Sequence, residues 1–175
     1  DFITKDSLGR TWQVATIQLD MNMPERFDLY CVNEGGKQER IVMIHAAIMG
    51  SIERFTSILI EHTGGHFPLW LAPTQAVVVP ISETHKKYAE EIRGKLAADG
   101  IRAVASSDDL TLGKRIRAAE TQKIPYILVV GDREVAAESA SVRHSQKGDL
   151  GTMKIEELRK KLNSEIEEKI YSTIN

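Results

Sequence analysis

A histidine, a Gly-Ser pair and a Glu-Arg pair lie close together in Val42-Met43-Ile44-His45-Ala46-Ala47-Ile48-Met49-Gly50-Ser51-Ile52-Glu53-Arg54-Phe55. These residue types suit a small anionic ligand. Glycine lets a backbone approach closely, a helix N-terminus offers unpaired N–H groups, and an arginine there can pair with a phosphate. A blander reading stays open on the same residues: a histidine at a strand end is common in cores and on surfaces, and Gly-Ser is an ordinary helix cap.

Holding these groups requires a strand that turns into a helix. The apolar run ahead of His45 reads as a buried strand. Beyond Gly50-Ser51, Ile52, Phe55, Ile58 and Leu59 recur at helical spacing. Upstream, Thr11 to Asp20 alternates as a strand, with Trp12, Val14, Thr16, Gln18 and Asp20 on one face and Gln13, Ala15, Ile17 and Leu19 on the other. Its scattered polar groups fit a cleft wall and an exposed sheet about equally. Met23-Pro24-Glu25-Arg26 reads as a turn, Phe27 to Val32 as a short strand, Asn33 to Lys37 as a hairpin loop, and Arg40 to His45 as the next strand. The first part is thus antiparallel strands followed by a helix from Ser51 to His62. Thr63-Gly64-Gly65-His66-Phe67-Pro68 ends that helix. A boundary is expected there, with residues 1–66 in one domain and 67–175 in the next.

The second domain alternates strand and helix. Ala76 to Ile81 is a buried strand, Ser82 an N-cap, and the helix behind it runs to Ala98 with Tyr88, Ile92 and Leu96 on one face. Ile101 to Ala105 is a strand, Leu112 to Gln122 a helix, and Tyr126 to Val130 a third buried strand. Glu134–Ala136 and Ala140–His144 are expected to pair as short strands, and Met153 to Ile170 forms an amphipathic helix. The fold class is α/β, and this second sheet should be mixed, mainly parallel, with an antiparallel edge.

Apolar residues at 42% suffice for a packed core. No apolar run approaches the roughly 20 residues of a membrane span, and no signal peptide is visible; a soluble, cytoplasmic protein without membrane partners is expected. Cys31, the single cysteine, has no partner for an internal disulfide. The chain begins at Asp1 in what looks like the end of a sheet, so it reads as a piece of a longer protein. Its net charge of −2 argues against indiscriminate nucleic-acid binding and confines any such contact to a local site. Lys114, Arg115 and Arg117 form one basic cluster, which suits phosphate contacts and an exposed helix face alike.

The segment His45-Ala46-Ala47-Ile48-Met49-Gly50-Ser51-Ile52-Glu53-Arg54-Phe55 resembles motif 3 of class II aminoacyl-tRNA synthetases, in the form carried by threonyl-tRNA synthetases. Ile58-Leu59-Ile60-Glu61-His62 and Phe67-Pro68-Leu69-Trp70-Leu71-Ala72-Pro73-Thr74-Gln75 continue the resemblance. Leu112-Gly113-Lys114-Arg115-Ile116-Arg117, Ile124-Pro125-Tyr126, Gly131-Asp132-Arg133-Glu134-Val135 and Asp149-Leu150-Gly151 resemble the anticodon-binding domain shared by the threonyl, prolyl, histidyl and glycyl enzymes.

The resemblance implies an ATP-dependent threonine–tRNA ligase, using ATP with Mg2+, of which this chain holds the C-terminal piece of the catalytic sheet and the anticodon-binding domain. Arg54 would be the motif 3 arginine that holds ATP phosphates, with Glu53 orienting it. Gln13, Thr16 and Ser51 would lie on the adenylate side and Gln18 by the amino-acid pocket. His45 would be one zinc ligand, the others lying upstream of this chain. Asp109, Lys123, Glu134 and Arg143 would face the anticodon loop of a threonine tRNA. Tyr126 is expected in the core rather than as a stacking platform. The full enzyme would be a homodimer; this piece alone, without motifs 1 and 2, should be inactive. Two departures stand out. Ala46 replaces an arginine, and Ser106-Ser107-Asp108-Asp109-Leu110-Thr111 has lost most of the family's basic loop pattern. They keep a second function open, a non-catalytic RNA-binding or regulatory module derived from a synthetase.

Overall fold

The computed structural model describes residues 1–106 and 110–170. The chain divides into two compact units, Asp1–Gly64 and Gly65–Asn175.

In the first unit β1 (Phe2–Lys5), β2 (Thr11–Asp20), α1 (Asn22–Arg26), β3 (Tyr30–Val32), β4 (Gln38–Arg40), β5 (Met43–Ala47) and α2 (Ile52–Thr63) follow one another. β1, β2 and β5 form an antiparallel sheet in that order, and β3 with β4 makes a separate hairpin. Three local readings of the sequence need correction. Met23 to Arg26 is helical, because the Asp20 carboxylate accepts the N–H groups of Asn22 and Met23 and starts α1. The strand foreseen from Phe27 begins only at Tyr30: Asp28 takes a left-handed φ of 55°, and the Leu29 N–H turns back to the Pro24 carbonyl. The strand foreseen at Arg40–His45 is split between β4 and β5.

α2 ends where Gly64 adopts a φ of 58°, a left-handed C-cap open to a residue without Cβ. No residue of α2 is buried. Ile17, Leu19, Ile44, Ile48, Ile52 and Ile60 are exposed; among the described residues, Pro24 apart, the buried apolar side chains lie at Leu69 or beyond. The first unit therefore has apolar faces without a core of its own.

The second unit holds β6 (Ala76–Pro80), a 3-10 turn at Glu83–His85, α3 (Lys86–Ala98), β7 (Ala103–Ala105), α4 (Leu112–Thr121), β8 (Tyr126–Val130), α5 (Asp132–Ala136), β9 (Ser139–His144), β10 (Gly148–Lys154) and α6 (Ile155–Glu167). The sheet order is β10-β9-β8-β6-β7. β6 runs parallel to β7 and β8, while β9 is antiparallel to both β8 and β10. The mixed sheet is as expected, but its antiparallel partners differ. Glu134 to Ala136 belongs to α5, because the Glu134 carboxylate accepts the Gly131 N–H at 3.0 Å and acidic residues suit a helix N-terminus. β9 pairs instead with β10, which takes in Met153 and delays the last helix to Ile155.

The core covers both faces of this sheet. Val78, Leu128 and Val142 pack with Ile92 and Leu96 of α3 and Leu158 and Leu162 of α6; Val77, Val79 and Ile127 pack with Ala119 of α4. Entry into the unit is tied down by Gln75, 1% exposed, which donates to the Leu69 carbonyl and accepts the Arg102 N–H. Among the described residues no helix is long and apolar enough to cross a membrane.

Candidate functional site

Two groups of side chains carry chemistry, one in each unit. In the first, α2 places Arg54 in its opening turn, with Ser51 as N-cap. The Arg54 guanidinium carbon lies 5.5 Å from the centre of the Trp12 ring, a cation–π contact. Trp12 is held in turn by Asp6, which accepts its indole N–H at 2.9 Å and the Arg10 guanidinium at 2.6 Å. The Trp12 indole and then the Arg10 guanidinium lower the Asp6 carboxyl to about 2. Arg54 is thus positioned by a ring whose edge is anchored in a buried carboxylate. Glu53, expected to orient Arg54, accepts the Ser51 hydroxyl instead at 2.8 Å. Its carboxyl is lowered by its own backbone N–H and then by Ser51.

Gln13 and Thr16 share one partner, donating to the Asp1 carboxylate at 3.0 and 2.6 Å. Gln18 lies directly opposite His45 in the β2–β5 pairing. The His45 Nε2 is 2.9 Å from Asp20 Oδ2, which leaves Nδ1 as the nitrogen available to a metal. Among the described residues no three His, Cys, Asp or Glu side chains gather as a metal-holding group. The chemistry of this donor fits zinc as one ligand of a set, with its second nitrogen oriented by a carboxylate.

In the second unit the three described residues expected to face RNA, Lys123, Glu134 and Arg143, do not form one cluster. The Lys123 ammonium, at a left-handed φ of 58°, donates to His66 Nε2 at 2.9 Å, and Arg143 lies 3.9 Å from Glu120. Both positions belong to the N-terminal end of β8. Glu134 lies past its other end, so a strand of five residues, on the order of 13 Å long, separates them. Asp109, with Asp108, falls outside the described residues. Burial and then the Lys123 ammonium lower the pKa of His66. Tyr126 is core, as expected: it is 1% exposed and donates its hydroxyl to Glu165 at 2.7 Å.

His85 joins Ser82 and Asp132 at 2.9 Å each, an order of groups known from hydrolases. Here its Nδ1 also takes the Ser82 N–H, so the ring serves as a helix cap. Asp6, Asp20 and His66 were not singled out as partners by the sequence reading, because each meets its partner through a turn, a cross-strand diagonal or a long-range contact that residue spacing does not reveal.

The tRNA synthetase class II core domain (G, H, P, S and T) model matches residues 1–63, and the Anticodon binding domain model matches residues 75–165. A threonine–tRNA ligase of Thermus thermophilus is 57% identical over 87% of this chain and 23% of its own length. One from Prosthecochloris aestuarii is 48% identical over 97% of this chain and 26% of its own. The chain spans about a quarter of the length of these curated relatives. The RNA binding domain of threonyl-tRNA synthetase from Cryptosporidium parvum superposes with a TM-score of 0.86 at 34% identity, covering 93% of this chain and 41% of that one. A prolyl-tRNA synthetase from the same organism shares the fold, with a TM-score of 0.68 at 23% identity over 91% of this chain and 36% of the other.

Proposed function

Because the chain belongs to the threonine–tRNA ligase family of class II aminoacyl-tRNA synthetases, we propose that it works as the C-terminal part of such an enzyme, in the cytoplasm. Residues 1–66 would complete the catalytic domain, and residues 67–175 would read the anticodon loop of a threonine tRNA. The observation that carries this reading is the contrast between the units. The second has a closed core, whereas the first exposes Ile17, Leu19, Ile44 and Ile48, apolar residues suited to burial against the rest of a larger domain.

In the proposed reaction the threonine carboxylate attacks the α-phosphate of ATP, used with magnesium, and pyrophosphate leaves. The terminal ribose hydroxyl of the tRNA then attacks the adenylate's carbonyl carbon, the bond from that carbon to the phosphate oxygen breaks, and AMP leaves with the hydroxyl proton passing to solvent. Arg54 holds phosphate oxygens and offsets the charge that grows on them; its guanidinium offers two-pronged contacts and is held over Trp12. Ser51, Gln13 and Thr16 line the adenylate side, and Gln18 lies by the amino acid. His45 would be one zinc ligand. Bound zinc would coordinate the amine and hydroxyl of threonine and so disfavour valine. Homodimerisation would involve surfaces beyond this chain.

Lys123, Glu134, Arg143 and Asp109 would contact unstacked anticodon bases, for which side-chain hydrogen bonds suffice. The test is binding of this chain to a threonine-tRNA anticodon hairpin, with an anticodon-swapped hairpin as control, at two salt concentrations. Selective binding is expected. Equal binding to both would refute anticodon reading and favour the non-catalytic RNA-binding module, to which Ala46 already lends support.

A further inference from the structure

Arg115 is buried, 9% exposed, while its neighbours Lys114 and Arg117 on α4 are exposed. Among the described residues its Nε has no hydrogen-bond partner, and its Nη2 reaches only the Ile81 carbonyl, at 3.5 Å, the outer limit of such a bond. It takes part in no ion pair among the described residues. A guanidinium cannot neutralise itself by losing a proton. Among the described residues this buried guanidinium therefore has no anion to balance it, an unfavourable arrangement in the free protein.

The side chain lines a groove of about 180 Å³ between α4 and the edge strand β7. Val77, Val104 and Ile124 give it apolar walls, and Ser106 and Gln122 add a hydroxyl and an amide. We propose that this groove seats one nucleotide of single-stranded RNA, with its phosphodiester on Arg115. The planar guanidinium matches two phosphate oxygens. The apolar walls suit a ribose or base face, and Ser106 and Gln122 offer it hydrogen bonds. The exposed cations at 114 and 117 fit the repeated charge of an RNA backbone better than one carboxylate of a peptide. The proposal rests on the reading of this unit as tRNA-binding and adds a contact that reads no sequence.

The experiment compares wild type, Arg115→Met and Arg115→Lys for binding to the two anticodon hairpins across a salt series, with thermal melting of each protein. Arg115→Met should melt at or above the wild-type temperature, since it removes an unbalanced buried charge. It should bind both hairpins about tenfold more weakly, and the slope of log K against log salt should shrink by about 0.7, as for one lost single-strand phosphate contact. Arg115→Lys should fall between the two. A clearly lower melting temperature for Arg115→Met would show that Arg115 has an internal partner and would overturn the proposal. So would unchanged affinity and slope, or displacement of RNA by polyglutamate as readily as by competing RNA. Equal wild-type affinity for both hairpins would end the anticodon reading but leave the phosphate seat standing.

Discussion

Asp20 holds His45 across the β2–β5 pair: one carboxylate oxygen lies 2.9 Å from His45 Nε2 while the other accepts the N–H groups of Asn22 and Met23. The two side chains are diagonal neighbours on one sheet face, since Asp20 pairs with Met43. The Met23 N–H and then His45 keep the Asp20 carboxyl below its ordinary range. If His45 binds zinc through Nδ1, Asp20→Asn in the full enzyme should weaken zinc binding roughly 10–100-fold. Competition with a chromophoric chelator measures this. Undiminished affinity would mean that Asp20 only caps α1.

Arg54→Ala in the full enzyme should lower the rate of threonine-dependent ATP–pyrophosphate exchange by about 10²–10³, as expected for a lost donor to a developing phosphate charge. Arg54→Lys should recover little, because a point charge lacks the planar fork. This chain by itself should show no exchange above background.

Acid should act on the first unit through Asp6. Its folded pKa, about 2, lies below the ordinary carboxylate value. Its contribution to stability is therefore complete above about pH 4 and is lost as the pH falls from about 4 to about 2. Trp12 reports on that loss, because its indole N–H is the donor. In Asp6→Asn the fluorescence change over this window should largely vanish. An unchanged acid transition would assign it to another carboxylate.

At the alkaline end the relevant group is Tyr126. Burial, and then the hydrogen bond to Glu165, raise its phenol above the ordinary value near 10. A phenol that resists ionisation when folded stabilises fully below about pH 10, and that stability is lost as the pH climbs towards the folded pKa. Tyr126→Phe should cost about 1 kcal/mol at neutral pH for the missing hydrogen bond. Its stability should also fall less steeply above pH 10 than that of wild type, as read by urea unfolding at a series of pH values.

Gln75→Leu would leave the Leu69 carbonyl and the Arg102 N–H without their side-chain partners. The Leu69 carbonyl keeps the Ala72 N–H at 3.3 Å, so the expected loss is about 1–3 kcal/mol, judged from the cost of one unsatisfied buried group. A shift in the denaturant midpoint with an unchanged m-value would confirm it. A loss below about 0.5 kcal/mol would mean that water replaces the amide.

Much of this fold was legible in the chain itself. Ala76-Val77-Val78-Val79 is apolar throughout because β6 is central and buried, and Ile155, Leu158 and Leu162 mark the buried stripe of α6. β10 was hidden because Gly148, Asp149 and Gly151 lack strand character; they pair because β9 supplies an edge, with a bulge between Asp149 and Gly151. α5 was mistaken for a strand because its five residues are too few to show a helical period. At the candidate sites, Gly50, Ser51 and Glu53 drew attention to Arg54 and His45, but the roles expected of both came from the resemblance of their segment to motif 3. The groups that position them, Trp12 and Asp20, came from strand β2, where alternation shows which face a side chain shares but not what it meets.

The Gln75–Arg102 tie has a wider meaning for how such proteins are assembled. Arg102 also donates to the carbonyls of Trp70 and Ala72, so the entering segment is stitched to residues of its own unit. A piece of gene that encodes the chain from Leu69 onward carries both halves of that fastening. Recombination could set it behind a different partner domain and deliver a folded module that brings its own closure with it.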